Sequence, residues 1–359
     1  MIGIVLPARL MRNAMRGSTS HPTIDYYRQL ARNNNIDICF YSMKQVSSKK
    51  RTVTGLFYNH SFDMMTKKAF PLPKVNVYRV GSYMRNQTSI NKIKRLRKNG
   101  YAFFHAVTNK ERSKFSVYQY LASNPKTAKY MPDTAMLSYS TLVQMIDRYG
   151  KVYIKPIRSS RGRNIHVLES KRDGFVMTHI ANFQEKKTKM AKGELYDHFE
   201  RTFTEPEKFL VQQAVQSDTY KGKKFDFRIS PQKNKHGRWQ ITGMIARIAN
   251  KCENITNLDQ GGRVKYKLSP LINKSTKNNI KKACITIAKT IEAKFPQVID
   301  LGLDMAVDKN GNVWMLEANF RPYRRRINIR HTRIPFQYAV WYYRQKFSSA
   351  SSNQSHTAI

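Results

Sequence analysis

Short apolar runs separated by polar stretches dominate the first hundred residues. Ile2–Leu6, Ile36–Tyr41, Val53–Tyr58 and Val75–Val80 have the length and the β-branched or aromatic content of strands. Tyr26–Arg32, after Pro22, reads as a helix. Strands alternating with helical or polar stretches predict a small α/β lobe.

The pattern changes beyond residue 110. Phe115, Tyr118 and Leu121 recur at helical spacing and predict a helix over Ser113–Ala122, stopped by Asn124-Pro125. Ser140–Tyr149 predicts a second helix, with Gly150 where a left-handed cap is wanted. Val152–Pro156 reads as a strand, followed by a basic loop at Arg158–Arg163 and a strand at Asn164–Leu168. Residues 170–206 are charged, show no strand pattern and are expected to be helix and loop. Phe209–Val215 reads as a buried strand. Phe225–Ser230 and Trp239–Ile248 read as paired strands joined by a turn at Gln232–Gly237. Ile280, Cys284, Ile287 and Ile291 predict a long amphipathic helix over Thr276–Phe295. Leu301–Val307 and Val313–Ala318 flank Asp308-Lys309-Asn310-Gly311, a hairpin signal. The Ser/Asn/Gln-rich segment Ser348–Ile359 is expected to be a disordered tail.

Composition narrows the class. The 359 residues suffice for two or three domains, and a hydrophobic content of 40% is that of a folded chain. The formal net charge is +42, from 65 Lys and Arg against 23 Asp and Glu. Such a surplus favours a polyanionic partner, or is simply a solvated basic surface. Cys39, Cys252 and Cys284 have no zinc-ligand spacing and sit in or near apolar runs, so a reduced, intracellular protein with core cysteines is expected. The first apolar run ends before Arg9, too short for a signal-peptide core. No stretch approaches the ~18–20 apolar residues of a membrane span. A soluble, cytoplasmic protein without a membrane partner is the expectation.

The hairpin near the C-terminus carries the clearest chemistry. Side chains alternate faces along a strand. Gly302, Asp304 and Ala306 therefore share one face, and Met315, Glu317 and Asn319 share one on the partner strand. An even-length loop centred on residues 308–311 would put Asp304 beside Glu317 and Asn319. Two carboxylates and an amide oxygen suit a hard cation such as Mg²⁺. A second group is basic: Lys155 ends a strand, and Ser159, Ser160 and Gly162 lie in the loop that follows, where backbone N–H groups could face a phosphate. A third is Asp226, Arg228 and Arg247 on paired strands, either a phosphate or carboxylate fork or a cross-strand ion pair.

In their order these segments resemble the ATP-grasp superfamily, and within it the YheC/YheD-like endospore coat-associated proteins. The matching segments are Asn109-Lys110 and the helix to Leu121, Tyr130–Thr134, Tyr153–Pro156, Val211–Gln213, Phe225–Arg228, Thr242–Arg247, Thr256–Leu258 with Gly261-Gly262, and Leu301–Asp304 through Trp314–Asn319 to Arg321-Pro322. The resemblance implies an ATP-grasp fold with a small N-terminal α/β domain at 1–104, a central lobe at 105–206, a C-terminal lobe at 207–345 and a tail at 346–359. It implies ATP and Mg²⁺ as ligands. Lys155 matches the nucleotide-phosphate lysine, with Lys126 or Lys129 as the earlier one. Gln212, Gln213, Ala214 and Val215 match the adenine hinge. Asp304, Glu317 and Asn319 match the metal positions, and Arg228 and Arg247 lie near the transferred phosphate or the acid. The phosphate loop departs from the family in carrying Arg161 and Arg163 where glycine is usual. The implied function is ATP-dependent ligation of a carboxylate to an amine or similar nucleophile through an acyl-phosphate, with spore coat association. A weakly catalytic coat scaffold and a basic polyanion- or nucleic-acid-binding protein are the alternatives.

Overall fold

The structure, a computed structural model, describes residues 1–17, 21–79, 86–108, 111–158, 163–182, 184–250, 253–320 and 328–348. Among these the strands form three sheets.

The first sheet is built from β1 (Ile2–Val5), β2 (Ile38–Tyr41), β3 (Val46–Ser47), β4 (Thr52–Asn59), β5 (Met64–Pro71), β6 (Val75–Tyr78) and β7 (Ala102–Phe104). β1, β2, β6 and β7 are parallel, and β3, β4 and β5 add antiparallel pairs at one edge. β1, β2 and β6 are buried throughout, as crossover helices on both faces require. Helices α1 (Ala8–Met15) and α2 (Pro22–Asn33) pack on one face and α3 (Gln87–Lys98) on the other. Pro22 starts α2 at a position that needs no N–H, and His21 Nδ1 accepts from Thr23 N at 3.1 Å. Its buried stripe is Ile24, Tyr27, Leu30 and Ala31, each large member worth about 1.5–3 kcal/mol of transfer. The sequence pattern anticipates the small α/β lobe but not α1, β3, β5, α3 or β7.

The second sheet follows α4 (Lys114–Ala122). It comprises β8 (Thr134–Met136), β9 (Lys151–Pro156), β10 (Ile165–Lys171), β11 (Gly174–Ala181), β12 (Gln184–Met190) and β13 (Phe209–Gln213), in the order β12-β11-β10-β9-β13-β8. Helices α5 (Tyr139–Tyr149) and α6 (Leu195–Thr202) cover one face. Gly150 caps α5 with φ at 66°, the left-handed turn expected of it. The expectation of helix and loop over residues 170–206 is corrected: β11 and β12 form a hairpin there before α6 begins. β12 exposes almost every side chain except Met190, so its charge reflects an edge strand wet on both faces.

The third sheet holds β14 (Thr219–Tyr220), β15 (Lys223–Lys233), β16 (Trp239–Ile248), β17 (Arg263–Lys265), β18 (Gly302–Val307) and β19 (Val313–Asn319), with α7 (Lys274–Lys294) packed against it. Gln232 belongs to β15, so the turn to β16 is shorter than the Gln232–Gly237 expected. The last helix, α8 (Asn328–Tyr343), returns to the first sheet. Phe336, Tyr338, Ala339 and Val340 share a core with Ile2, Leu30 and Phe104. α8 also meets the third sheet, where Lys233 Nζ donates to Glu292 of α7 and to Tyr338 Oη at 3.3 Å. Sheet membership thus cuts across chain order at both ends of the expected C-terminal lobe: β13 pairs with β8 and β9, and α8 packs on the first sheet. The expected tail lies outside the described residues from 349 onward.

Candidate functional site

Alternation along β9 sends Val152 and Ile154 into the core under α5 and α6. Tyr153 and Lys155 face the other way, into a cleft between the second and third sheets. Lys155 Nζ donates to Gln212 Oε1 at 2.5 Å, and Gln212 Nε2 donates to Thr134 Oγ1 at 3.0 Å, so both ends of the buried Gln212 amide are committed. Desolvation, followed by repulsion from Lys114, pushes the Lys155 ammonium down to about 7, against the pull of Glu317.

The facing wall is a row of charges across the third sheet. Arg228 of β15 lies opposite Asp304 of β18, and Asp304 opposite Glu317 of β19. The loop joining β18 to β19 corrects the sequence argument. Val307 pairs with Val313 across five residues, an odd count that by itself would turn Glu317 away from Asp304. A β-bulge restores the alignment. Met305 pairs with Met315 but Asp304 pairs with Glu317, leaving Leu316 as the extra residue. Asn319, opposite Gly302, then falls on the same face.

The acids of this wall are neutralised in place. Arg247 donates from Nε to Asp226 Oδ1 at 2.7 Å and from NH2 to Asp226 Oδ2 at 2.6 Å, and its NH2 lies 3.1 Å from Asp304 Oδ2. Arg228 grips Asp304 from the other side through Nε and, at 3.2 Å, through NH2. Burial acts to raise Asp304, but Arg228 and then Arg247 outweigh it and hold the carboxyl below the usual range. Burial likewise disfavours the Arg247 cation, and Asp226, then Asp304, more than restore it. Thr256 Oγ1 donates to Asp226 Oδ2 at 2.5 Å. Glu317 has Lys114 Nζ of α4 at 3.6 Å. The Asn319 amide Nδ2 is buried without a hydrogen-bond partner.

A family model described as YheC/D-like ATP-grasp matches residues 104–342, more than half of the chain. The chain belongs to the YheC/D-like ATP-grasp family. It is 26% identical over 309 residues to the endospore coat-associated protein YheD of Bacillus subtilis (strain 168), covering 80% of this chain and 64% of that protein. It is 21% identical over 223 residues to YheC of the same organism, covering 60% of this chain and 61% of the relative. The chain therefore spans less than two thirds of the length of these curated relatives. Its fold resembles that of the ATP-grasp ligase PsnB complexed with minimal precursor, Mg and ADP, at a TM-score of 0.51 and 12% identity, over 96% of this chain and 98% of that one. A second PsnB structure, with minimal precursor alone, matches equally well over 94% and 97%. At that identity the likeness concerns the ATP-grasp fold alone.

Set against this family's motifs, Lys155, Gln212, Gln213, Val215, Arg247, Asp304 and Glu317 all line the cleft, and Arg228 borders it through Asp304. Ala214 packs beside Tyr153 and Ile165. Ser159, Ser160 and Gly162 lie outside the described residues, as do Arg161 and Asn109-Lys110. Lys126 and Lys129 are exposed, away from the cleft lining. The lysine of that region that reaches the cleft is Lys114. Sequence reasoning also missed Lys224, whose Nζ donates to Tyr153 Oη at 2.7 Å, and Tyr153, whose hydroxyl donates to Asn254 O at 2.9 Å. Lys224 belongs to no quoted motif; Tyr153 lies in the matching segment Tyr153–Pro156, where the parity of β9 sets it beside Lys155. Among the described residues no three His, Cys, Asp or Glu side chains cluster to hold a metal. Asp226, Asp304 and Glu317 line the cleft, and Asn319, the third expected metal position, is not among its lining residues. No helix among the described residues is long and apolar enough to cross a membrane.

Proposed function

We propose that the chain binds Mg-ATP in this cleft and uses it to activate a carboxylate for ligation. The observation that supports the reading is the convergence of Lys155 with the row Arg228, Asp304 and Glu317 on opposite walls of one cleft, beside Arg247. Lys155 is placed to neutralise nucleotide phosphate. The hinge Gln212–Val215 would meet adenine. The N–H groups of Gln213 and Ala214 already donate to the carbonyls of Asp133 and Lys151, so adenine contacts there fall to carbonyls or to Val215. Asp304, Glu317 and Asn319 fall on one face of the hairpin, and their carboxylate and amide oxygens are donors of the kind a divalent cation takes. When bound, Mg²⁺ would neutralise phosphate charge.

In this reading a substrate carboxylate oxygen attacks the γ-phosphorus and ADP leaves. An amine or similar nucleophile then attacks the acyl carbon, phosphate leaves, and the nucleophile's proton passes to solvent. Arg228 and Arg247 are placed to hold the acid or the transferring phosphoryl group by bidentate contacts, so the residues contribute position and charge. The names of the relatives extend the proposal to association with the spore coat. One observation favours a second reading, a nucleotide-binding coat scaffold with little turnover: Asp304 is already gripped by two guanidinium groups that a metal must displace. A thermal-shift series with Mg-ATP, followed by ADP release with a panel of carboxylates and amines, tests both. A melting temperature unmoved by saturating Mg-ATP counts against either reading, because a ligand of the native state must stabilise it. A shift without ADP release under any pairing favours the scaffold.

A further inference from the structure

The first sheet and its helices carry charge of nearly one sign. Residues 1–104 hold 19 Lys and Arg against three Asp and no Glu. All three acids are engaged on the α2 side. Asp63 accepts from Arg28 at 2.9 Å and Arg32 at 3.0 Å, Asp25 lies 3.9 Å from Arg28, and Asp37 pairs with His60 at 2.8 Å. None of the three lies on the opposite side, where α3 packs; an acid from the following segment, Glu111, acts there on the half-buried Arg97. Ile93 and Leu96 bury one stripe of α3, which turns Lys94, Arg95 and Lys98 to solvent. Beside them stand Lys44, in the turn before β3, and Lys49 and Lys50, in the β3–β4 turn, all exposed. The pieces are fixed to one another: Lys92 Nζ donates to the carbonyls of Met43 at 3.3 Å and Val46 at 2.8 Å, and Arg51 donates to Asn99 Oδ1 at 3.3 Å. Six exposed cations on rigid elements, without a carboxylate among them, repel one another within a Debye length of about 8–10 Å. An anionic partner relieves that repulsion.

We propose that this face binds the phosphate backbone of double-helical nucleic acid. A second copy of the chain is excluded as occupant by its own charge. A single strand would need aromatic platforms for its bases. Among the described residues the exposed large apolar side chains are Phe62, Met64, Tyr196, Leu258 and Tyr266, and none lies on α3 or on the turns beside it. What the face offers is a fixed array of point charges, which suits regularly spaced phosphates without base readout.

Fluorescence anisotropy of the full chain with a labelled DNA duplex of mixed sequence, over a KCl series, tests the assignment. Replacing Lys44, Lys49, Lys50, Lys94, Arg95 and Lys98 with Gln should weaken binding at least about 30-fold at low salt. It should also flatten a wild-type salt slope of about −5, the value for six phosphates at ~0.9 each, by more than half. A control with six other exposed lysines, Lys186, Lys189, Lys192, Lys274, Lys282 and Lys289, replaced by Gln should stay within about threefold of wild type. A smaller variant confined to the helix, Lys94→Glu with Arg95→Glu and Lys98→Glu, should lose binding while melting at the wild-type temperature. Equal losses in the α3-face and control variants would overturn the proposal in favour of net charge alone. Tighter binding of a single strand of the same length, or of an acidic polypeptide, would overturn the choice of partner. So would the absence of duplex binding in 50 mM KCl.

Discussion

Raising the pH should weaken nucleotide binding through Lys155 alone. In the free protein, desolvation and Lys114 hold this ammonium at about 7. At pH 8.5 only about 3% of it is charged, whereas a phosphate oxygen against Nζ requires the charged form. Binding Mg-ATP must then take up about one proton at pH 8.5, about half at pH 7 and almost none at pH 5.5. The sign follows from the free-state value lying below the bound-state value. Affinity is full below pH 7 and falls as pH rises through it, by about fifty-fold between pH 7 and 9, or about 2 kcal/mol. Titration calorimetry in two buffers of different ionisation enthalpy counts the protons directly. Lys155→Arg, whose guanidinium stays charged, should abolish the uptake and flatten the pH profile even if it binds more weakly. Uptake below about 0.2 proton at pH 8.5 by the wild type, or equal uptake by Lys155→Arg, would refute both the role of Lys155 and the desolvation argument.

Glu317→Gln keeps size and shape, so the variant should melt near the wild-type temperature and lose the Mg²⁺ dependence of ATP binding; unchanged Mg-ATP affinity would falsify the metal assignment. Arg247→Met strands the buried Asp226, leaving it Thr256 as its remaining polar partner, and should cost about 3–5 kcal/mol, read from urea midpoints by the fluorescence of Trp239 and Trp314 in the third sheet. Adding Asp226→Asn to that variant should recover at least about half, since the stranded charge is gone; a single variant with the wild-type midpoint would sink the network argument. His166, stacked on His179 at 4.4 Å with Nδ1 buried and unpartnered, is pushed down to about 3 by desolvation, then by His179 and His198. The native state therefore binds fewer protons than the unfolded one below pH 6.5, and stability that is whole above that value drains away toward pH 3, by about 2 kcal/mol at pH 5. His166→Gln should escape most of that loss, and an acid loss as large as that of the wild type would contradict it.

Where one face of a strand meets the core and the other meets the cleft, the sequence was legible. β18 and β19 could be read as far as Asp304 sharing a face with Glu317; Met315, which alternation grouped with Glu317, instead pairs with Met305 on the buried face. The same reading assumed an even loop. The Leu316 bulge supplied the missing step, and no local pattern announces a bulge within an apolar run. β12 was missed because Gln184–Met190 buries almost nothing, leaving no period to detect. α3 was hidden by its cations, whose apolar counterpart is the narrow stripe of Ile90, Ile93 and Leu96. Lys114 and Lys224 come from remote segments, and only tertiary packing brings them to Glu317 and Tyr153. The ion pairs of Arg228 and Arg247 were open to either interpretation in the sequence. The structure shows them paired to Asp304 and Asp226 without removing them from the cleft.

The packing of α8 against the first sheet has a consequence for biogenesis. Phe104 meets Tyr338 at 5.1 Å and Tyr27 meets Phe336 at 5.7 Å between ring centroids, contacts that join α8 to the first sheet and to α2. A helix that begins at Asn328 therefore closes a sheet whose last strand ends at Phe104. At about 5–20 residues per second, the intervening chain takes on the order of ten to fifty seconds to synthesise. Throughout that interval Ile2, Leu30 and Phe104 lack the cover of Phe336 and Tyr338. Contacts of such long sequence separation cost more loop-closure entropy and form slowly. The nascent first lobe is thus the segment on which a trigger-type holdase should act, and a release of that hold before α8 emerges would expose the chain to aggregation at its most apolar face.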